Sequence, residues 1–390
     1  MSSGQDLPLS GVRVLDLSRV LAGPYCTMML ADMGADVIKV ETPRGGDETR
    51  SWGPPYAGPP EDGMSAYFLA VNRNKRSLRL DLKSPGGLEH AMRLARQSAV
   101  VVENFRPGKA AELGLDYQRL SRDNPALVYC SISGFGQSGP YRDRTGYDYV
   151  IQAMSGLMSI TGPAEGPPCK VGVAISDVLA GLHACSAIVA ALYQASQSGQ
   201  GRHIDVSLLD CQIASLVNVA SNYLISGQPP RRYGRQHPNI VPYQTFQARH
   251  GALVVAVGND RQFEKLCRLL GQPQLARDER FADNPSRSRN RDALVPLLQQ
   301  CLAGKDRDHW LQALAAEGIP AGPINELSEV FADPQVRERQ LVDESGEFPL
   351  LRSPLCFQGR RLPTGRPPPR LGEHDSDFAS EPCEGEDGKG

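Results

Sequence analysis

The N-terminal 41 residues contain the feature that most restricts how this chain folds. Residues 12–17 (VRVLDL) and 36–41 (DVIKVE) are short apolar runs that each predict a β-strand. Between them, Pro24 suits the first turn of a helix and Gly34 suits the position just past its end. A strand, a helix and a strand in this order form a βαβ unit, which requires parallel strands joined by a right-handed crossover. The chain is therefore expected to be an α/β protein.

Further strand patterns follow and place polar turns where a parallel sheet binds ligands. Strands are predicted at 77–82, 99–103, 127–131 and 203–206, with an amphipathic helix at 88–97. Polar and small residues follow two of these strands, as Asn104-Phe105-Arg106-Pro107-Gly108 and as the glycine-rich residues 134–139. Open α/β sheets bind ligands at the carboxyl ends of their strands. The first strand lacks a following G-x-G-x-x-G, so a dinucleotide-dependent oxidoreductase has no motif to support it.

The composition changes after residue 226 and predicts a second domain. Residues 227–237 are rich in Pro, Arg and Gly, as domain linkers are. A hairpin is predicted at 241–246 and 252–257, followed by helices near 261–270, 291–302 and 309–317. The last residues are acidic and Gly-rich, which predicts a disordered tail.

The bulk composition excludes several classes of partner. The chain has 42 basic and 44 acidic residues, without the basic excess that nucleic-acid binding needs. It contains no run of ~18 apolar residues, so no membrane partner is expected. The nine cysteines are scattered without a C-x-x-C pair or a nearby His cluster, which predicts reduced thiols and no metal site. The short polar N-terminus has no signal or transit pattern, so a soluble intracellular protein is expected.

Residues 171–181 (VGVAISDVLAG) hold a single carboxylate, Asp177, ahead of an Ala-rich apolar helix. One interpretation makes Asp177 a helix cap, since Asp accepts backbone N–H bonds at a helix start. The other makes it a nucleophile that the neighbouring glycines leave open to a large ligand. Residue type alone favours the cap. A basic group at Asn72, Asn74, Lys75 and Arg76 also has two interpretations, a solvated turn or a phosphate site.

Motifs along almost the whole chain together resemble the class III CoA-transferase family of the CaiB/BaiF type. They are VRVLDLSRVLAGPYCTMMLADMGADVIKVE, GGDETRSWGP, NRNKRS, VENFRPG, SGFGQSGP, GYD, VGVAISDVLAG and GIPAGPI. The resemblance implies a large Rossmann-like domain built from both ends of the chain, a smaller α+β domain, and two chains interlocked in a homodimer. The expected boundaries are 1–226 for the large domain, 227–323 for the small domain, 324–375 for the return segment and 376–390 for the tail.

The resemblance also implies a function. It suggests that CoA passes from succinyl-CoA to a dicarboxylic acid such as glutarate, with Asp177 aligned to the family's catalytic aspartate. The CoA thioester is then a substrate, and no tightly bound cofactor is expected. A free Asp has a pKa of ~3.9 and is ionised at pH 7, so a covalent route through an aspartyl anhydride and an aspartyl-CoA thioester needs no general base.

By position, the resemblance assigns further site residues. The CoA contacts it implies are Val20, Leu21, Ala22, Leu80, Asn104 and Phe105, and the residues near the acyl group are Trp52 and Tyr67. By their charge and their place in the sequence, Arg106 and Lys109 are the candidates for binding the CoA phosphates. A dicarboxylate also needs a cation for its distal carboxylate, a role that Arg serves best. The sequence leaves that choice open among Arg19, Arg50, Arg144, Arg232 and Arg235, with His237.

An acyl-CoA racemase of the α-methylacyl-CoA type is the main rival, because such enzymes share the fold. Racemases exchange a proton at the α-carbon with a His–Asp pair, and the family's racemases place His after the Gly of the G-H-D motif. This chain has Gly146-Tyr147-Asp148 there. A tyrosine, with an unperturbed pKa of ~10, is a poor base near pH 7. The presence of Asp177 also argues against a non-catalytic member. Resemblance to animal members suggests a mitochondrial location, whereas the lack of a transit pattern suggests the cytoplasm.

Overall fold

The computed structural model of the protein describes residues 7–59 and 63–378. Its strands, in chain order, are β1 (Arg13–Asp16), β2 (Asp36–Glu41), β3 (Tyr56–Ala57), β4 (Met64–Ser65), β5 (Lys75–Arg79), β6 (Val100–Glu103), β7 (Val128–Ser133), β8 (His203–Ser207), β9 (Tyr243–Ala248), β10 (Gly251–Ala256), β11 (Ala321–Pro323), β12 (Val342–Asp343), β13 (Leu350–Leu351), β14 (Cys356–Phe357) and β15 (Arg360–Arg361).

The α-helices, in chain order, are α1 (Ala22–Asp32), α2 (Ala66–Ala70), α3 (Pro85–Arg96), α4 (Lys109–Glu112), α5 (Tyr117–Asp123), α6 (Asp148–Met154), α7 (Leu157–Ile160), α8 (Ile175–Ser198), α9 (Leu208–Ala214), α10 (Val217–Ser226), α11 (Asp260–Leu269), α12 (Asn284–Arg289), α13 (Arg291–Leu302), α14 (Arg307–Ala316), α15 (Leu327–Ala332), α16 (Pro334–Glu338) and α17 (Asp375–Phe378). Short 3₁₀ turns span Glu48–Ser51 and Pro273–Arg277.

A six-stranded parallel sheet forms the centre of the first of two compact units. Its strand order is β5-β2-β1-β6-β7-β8, and every neighbouring pair is parallel. Alternate residues of β1 face opposite layers: Val14 packs with α1 and α8, whereas Leu15 packs with α3 and α5. Read in chain order the strands run 3-2-1-4-5-6, the doubly wound arrangement that reverses direction between β1 and β6. The predicted α/β class with a parallel sheet is confirmed.

Helix α8 is longer than predicted and lies in the core of this unit. Its residues Ala180, Ala184 and Ile188 are fully buried in the layer that also contains α1. A Cβ at Gly181 would lie 2.8 Å from the carbonyl oxygen of Ala22, so only glycine allows α1 to approach this closely. By length and hydropathy alone α8 could also span a membrane, and in the structure one side of it packs against β7 and β8 of the sheet.

The single apolar helix predicted at 206–225 is instead two helices. Helix α9 ends at Ala214 and helix α10 begins at Val217. Val217, the first residue of α10, has φ of +34°, so the helical conformation is interrupted before it. The mainly apolar sequence of residues 206–225 does not reveal such a break, because both helices satisfy the same hydrophobic pattern.

The second unit is organised around the antiparallel strands β9 and β10, with β11 added beside β10. Phe246 on β9 faces Leu253 on β10, and both are buried with Phe263, Leu298 and Trp310 from the surrounding helices. The predicted hairpin and its three following helices all lie here.

The division by contacts differs from the predicted domain boundaries. The second unit takes residues 158–170 and 217–336, and the first takes the described residues before 158, residues 171–216 and residues 337–378. Residues 158–170 belong to the second unit because Arg232 donates hydrogen bonds to the carbonyl oxygens of Ser159, Pro163 and Gly166. The Pro- and Arg-rich stretch that predicted a linker is therefore an internal loop of this unit.

The C-terminal segment packs along β5, the edge strand of the parallel sheet. The Asp375 carboxylate accepts hydrogen bonds from the Arg79 backbone N–H at 2.9 Å and from its Nε at 2.6 Å. Phe378 is fully buried, and the Arg76 guanidinium lies 4.4 Å from its ring centroid. The predicted disordered tail, 376–390, therefore begins too early, because residues 376–378 belong to α17. Residues 379–390 lie outside the described part of the chain.

The basic group at residues 72–76 is structural rather than a phosphate site. Lys75 is fully buried and donates to Asp16 Oδ2 at 3.1 Å and to the carbonyl oxygen of Pro24 at 2.9 Å. Arg73 pairs with Asp32, and Arg76 pairs with Asp36. Burial lowers the pKa of Lys75 to about 8 even though Asp16 opposes that shift. A buried charge of this kind needs a partner, which explains why these cations are paired inside the fold.

Candidate active site

A pocket of about 240 Å³ opens at the carboxyl edge of the parallel sheet, between β1 and β6. The turn after β1 and the turn after β6 form part of its wall, together with Gly134, Arg144 and Asp177. Doubly wound sheets bind ligands at the point where the strand order reverses. The sequence-based expectation of a ligand site after the strand ending at residue 103 agrees with this placement.

The turn after β1 is fixed by the side chains of Asn104 and Asp47. Asn104 accepts a hydrogen bond from the Arg19 N–H at 2.9 Å and donates one to the Arg19 carbonyl oxygen at 2.7 Å. The next N–H, of Val20, points to the Asp47 carboxylate at 3.2 Å. Val20 has φ of +69°, a conformation that is costly for a β-branched residue and needs such surrounding bonds to persist. The amide of Asn104 thus positions the turn.

Asp177 lies in the first turn of α8, partly buried and lining the pocket. The residue at the helix N-cap is Ala174, and no side chain caps the helix from that position. The cap interpretation of Asp177 is therefore wrong. Within residues 7–59 and 63–378, the Asp177 carboxylate has no hydrogen-bond or ion-pair partner.

Burial raises the pKa of Asp177 to about 7, and the Asp148 carboxylate adds to the shift. Desolvation and a like charge both disfavour the ionised form of a carboxyl group. Asp177 is therefore harder to ionise than the free Asp from which full ionisation at pH 7 was expected. A carboxylate with a pKa near the working pH is more basic, and hence more nucleophilic, than a solvated aspartate.

A polar network surrounds the start of α8, and the sequence analysis did not assign it. Asp148 Oδ1 accepts the backbone N–H of Ser176 at 2.9 Å, and Asp148 Oδ2 accepts Gln152 Nε2 at 2.8 Å. Ser176 Oγ in turn donates to Gln212 Oε1 on α9 at 2.9 Å. The available signal was the spacing of Asp148 and Gln152, which puts them four residues apart on one face of a helix.

Seven of the predicted site residues line the pocket, and four others do not. Those that line the pocket are Val20, Leu21, Ala22, Asn104, Phe105, Arg106 and Asp177. Of the residues outside that lining, Leu80 is buried in the core, Lys109 pairs with Glu112 at 2.8 Å, and Trp52 packs edge-on against Tyr67 at 5.3 Å. Tyr67 nevertheless lies close enough to Asp177 for the two groups to interact: burial raises the pKa of Tyr67 to about 12, with Asp177 contributing.

Most of the candidate cations for a distal carboxylate are already occupied. Arg50 donates to Glu41 at 2.7 Å and stacks on Phe68, and Arg232 holds three carbonyl oxygens of the second unit. His237 Nδ1 accepts the N–H groups of Asn239 and Ile240, and Arg235 is exposed in the same unit. Arg19 lines the pocket but pairs with Glu48 at 2.5 Å.

Arg144 is the candidate that lines the pocket without a carboxylate partner among the described residues. Its guanidinium lies 3.8 Å from the ring centroid of Tyr141. Stacking of this kind leaves the N–H groups at the edge of the guanidinium plane able to bind a carboxylate.

The backbone of the G-Y-D motif lies in close contact with the loop after β7. A Cβ at Gly134 would lie 2.7 Å from the Cα of Gly146, so these two glycines allow the loop after β7 and the motif to touch. Tyr147 also lines the pocket and is exposed. Among the described residues, no histidine lines the pocket and no cluster of His, Cys, Asp or Glu could hold a metal ion. The His–Asp pair that a racemase needs is therefore not formed there.

Comparison with known proteins identifies the family. The sequence profile of CoA-transferase family III matches residues 9–375. The chain belongs to this family. The resemblance found from its motifs is confirmed, and the protein is a CoA-transferase of class III.

Relatives of the family are similar over nearly their whole length. A protein of Agrobacterium fabrum named succinate–glutarate CoA-transferase is 50% identical over 382 residues, which cover 96% of this chain and 95% of the relative. The human succinyl-CoA:glutarate CoA-transferase is 43% identical over 379 residues, covering 96% and 86%. A crystal structure of a CaiB/BaiF family protein from Brucella suis is 46% identical and superposes with a TM-score of 0.85, covering 96% and 99%.

Proposed function

We propose that this class III CoA-transferase moves CoA from succinyl-CoA to a dicarboxylic acid such as glutarate, with Asp177 as the nucleophile. One observation carries the assignment to Asp177: its carboxylate faces the pocket at the switch point of the sheet and has no polar partner within the described residues. The names of the Agrobacterium and human relatives support the substrates.

The first half of the reaction transfers CoA to the enzyme. The Asp177 carboxylate attacks the thioester carbonyl of succinyl-CoA, the C–S bond breaks, and a mixed anhydride forms with release of CoA thiolate. The thiolate then attacks the aspartyl carbonyl, which forms an aspartyl-CoA thioester and releases succinate. Such a covalent route divides one difficult transfer into easier steps.

The second half repeats these steps in reverse order. The acceptor carboxylate attacks the aspartyl-CoA thioester, which gives a new anhydride and CoA thiolate. Attack of the thiolate on the acyl carbonyl of the acceptor then forms its CoA thioester and regenerates the Asp177 carboxylate. One thioester is consumed and one is formed, so no outside energy source is required.

The distal carboxylate of the dicarboxylate is assigned to Arg144. It lines the same pocket as Asp177 and has no carboxylate partner among the described residues, whereas Arg19 and Arg50 are paired. An arginine binds a carboxylate with two parallel hydrogen bonds, which gives geometric selectivity as well as affinity. Because succinyl and glutaryl groups both carry a distal carboxylate, Arg144 serves donor and acceptor alike.

The CoA moiety is assigned to the turns 20–22 and 104–106, where Arg106 supplies positive charge for its phosphates. Leu80 and Lys109 keep their predicted CoA role only as a proposal, because neither lines the pocket. Trp52 and Tyr67 likewise remain candidates for the acyl end. No tightly bound cofactor takes part in this scheme.

The enzyme is also proposed to act as an interlocked homodimer, with the large domain built from both chain ends. Large apolar side chains are exposed in each unit, such as Tyr193 on α8 and Leu224 and Ile225 on α10, which are 72%, 79% and 88% exposed. Exposed apolar groups of this size are typical of protein–protein interfaces. Light scattering of the purified protein would test the dimer. A soluble intracellular location, mitochondrial or cytoplasmic, stays a prediction.

One assay tests the transfer and the nucleophile together. Wild-type protein, Asp177→Ala and Asp177→Asn are incubated with succinyl-CoA and a panel of mono- and dicarboxylic acids, and the product thioesters are measured. We expect glutaryl-CoA from the wild type, a CoA adduct on the protein by intact mass, and neither from the variants. Full activity in Asp177→Ala would overturn the nucleophile, whereas transfer only to monocarboxylic acids would overturn the substrate class.

A further inference from the structure

Two side chains of helix α6, those of Asp148 and Gln152, form hydrogen bonds with the segment that leads to Asp177. The chain returns to the first unit at Val171, and six residues later it reaches Asp177. Gln152 Oε1 accepts the Val171 N–H at 2.9 Å, and Gln152 Nε2 donates to the Val173 carbonyl oxygen at 3.3 Å. The oxygen and the nitrogen of this fully buried side-chain amide therefore both bond to residues that lead into α8.

The same helix supplies the missing cap of α8. Ala174 stands at the N-cap and has no side-chain oxygen, so the N–H groups of the first turn need an acceptor from elsewhere. Asp148 provides it by accepting the Ser176 N–H, and its second oxygen accepts Gln152 Nε2. A negative charge at a helix N-terminus is also favoured by the helix dipole.

We propose that Asp148 and Gln152 are positioning residues for the nucleophile, fixing the first turn of α8 so that the Asp177 carboxylate faces the pocket. The inference rests on the proposed role of Asp177. The G-Y-D motif then has a function of its own in this chain: its glycine allows contact with the loop after β7, and its aspartate anchors the nucleophile's helix.

The charge of Asp148 has a second consequence at the same place. Two carboxylates at one helix start repel each other, and together with burial this raises the pKa of Asp177. The other charged or titratable groups that line the pocket are Arg19, Glu48, Arg106, Arg144 and Tyr147, and Tyr67 on α2 also interacts with Asp177. Unlike these groups, Asp148 is bonded to the turn that carries Asp177. It therefore affects both the position and the basicity of the Asp177 carboxylate.

The proposal predicts different effects for two substitutions. Asp148→Asn removes the charge and places an amide N–H₂ opposite the Gln152 donor, because an Asn amide has only one accepting oxygen. Gln152→Leu removes the bonds to Val171, Val173 and Asp148 but keeps the charge of Asp148. Asp148→Asn should change both the basicity and the position of the Asp177 carboxylate, whereas Gln152→Leu should change its position alone.

The experiment is single-turnover formation of the aspartyl-CoA adduct from succinyl-CoA, followed by rapid quench and intact mass between pH 5 and pH 9. For Asp148→Asn we expect the midpoint of the acid limb to fall by roughly 0.5–1 pH unit, because removal of a nearby negative charge lowers a carboxyl pKa. Its rate constant at high pH should also fall by about tenfold or more, as expected when a reacting group loses its orientation. For Gln152→Leu we expect a similar loss of rate with an unmoved midpoint.

A matched control is available in the same loop. Asp143 is exposed and carries the same charge, so Asp143→Asn should leave midpoint and rate constant at wild-type values. Misfolding is separated from the proposed effect because an inactive fraction lowers the amplitude of adduct formation, whereas it changes neither the rate constant nor the midpoint of the remainder. CoA affinity, measured by calorimetry, should stay within about twofold in all three variants, since none of these side chains is assigned to CoA.

The outcomes separate this inference from the proposed function. If Asp177→Ala still forms the adduct, the nucleophile itself is misassigned and the role of Asp148 falls with it. If Asp177→Ala is inactive while Asp148→Asn and Gln152→Leu both match Asp143→Asn in rate and midpoint, the positioning role alone is overturned. A fall in rate for Asp148→Asn without any movement of the midpoint would contradict the coupling of position with basicity.

Discussion

Asn104 and Arg19 are joined by two hydrogen bonds, of 2.9 Å and 2.7 Å, although 85 residues separate them in the chain. Because the bonds engage both the N–H and the carbonyl oxygen of Arg19, they lock the turn after β1 to the turn after β6. The two turns meet where the sheet reverses its strand order. The walls of the pocket are thus held by Asn104, which the family resemblance assigned to CoA contact and which bonds to the backbone in the structure.

Asn104→Ala should weaken the binding of succinyl-CoA. The substitution leaves the Arg19 N–H and carbonyl oxygen without partners and releases the strained conformation at Val20. We expect KM for succinyl-CoA to rise by about tenfold, with a smaller change in kcat, as for a loss of 1–2 kcal/mol in binding. Steady-state kinetics with glutarate as acceptor would measure it.

Asn124→Ala is the control for this prediction. Its amide also bonds to a backbone carbonyl oxygen, that of Ser98 at 2.9 Å, but it lies at the amino end of β7. It should lower stability without changing KM. Equal KM values for the two variants would show that the bonds to Arg19 do not shape the pocket.

Asp177→Asn should make the protein more stable at alkaline pH. The folded-state pKa of about 7 lies above the unfolded value of ~3.9, so the native state loses stability as the pH rises through this interval and Asp177 ionises. Asn does not ionise and avoids the loss. We expect the variant to exceed the wild type in Tm by roughly 2–4 °C at pH 8, with a smaller difference at pH 5.5.

Differential scanning calorimetry at several pH values would check this. Glu165→Gln, which neutralises an exposed carboxylate, should give a difference that does not grow between pH 5.5 and pH 8. A Tm difference for Asp177→Asn that shrinks with rising pH would mean that Asp177 is stabilised in its ionised form.

Arg144→Met should reduce the preference for dicarboxylic acids. Loss of the guanidinium removes the proposed partner of the distal carboxylate but leaves the attacking carboxylate untouched. We expect the ratio of kcat/KM for glutarate to that for valerate, a monocarboxylate of equal chain length, to fall by about 100-fold. Competition between the two acids in one reaction would report this ratio directly.

Arg142→Met serves as the control, since Arg142 is an exposed arginine two residues away that does not line the pocket of Asp177. It should keep the wild-type ratio. If Arg144→Met also keeps it, the distal carboxylate is bound elsewhere, and Arg19 becomes the next residue to test.

Phe378→Ala should destabilise the first unit strongly. Phe378 is fully buried at the end of the C-terminal segment, and truncation of a buried Phe typically costs about 3–5 kcal/mol. Phe357, which is 45% exposed, provides the matched control, because Phe357→Ala removes the same atoms from a solvent-exposed position. Urea unfolding would compare the two. Similar losses would contradict the packing of the C-terminal segment against the sheet.

The sequence predicted the elements around the site well because their patterns are local. Strand β2 was predicted with its observed bounds, and β6 and β7 agree to within one or two residues, since buried parallel strands are short apolar runs between turns. The glycines and polar residues that follow these strands correctly marked the carboxyl edge. The break between α9 and α10 and the helical residues 376–378 do not follow from the local pattern, because it shows neither the positive φ at Val217 nor the burial of Phe378.

By itself, the sequence determined the α/β class, the family and Asp177 as the residue to test, because strand periodicity and ordered motifs are properties of the chain alone. The tertiary structure decided everything that depends on distance. It showed that Lys75, Arg73 and Arg50 form ion pairs with carboxylates inside the fold, whereas Arg144 lines the pocket. It also showed that burial raises the pKa of Asp177 to about 7, whereas the sequence suggested a solvated, ionised aspartate. The physical reason is that desolvation and charge act through space, so Asp148 can act on Asp177 from 29 residues earlier in the chain.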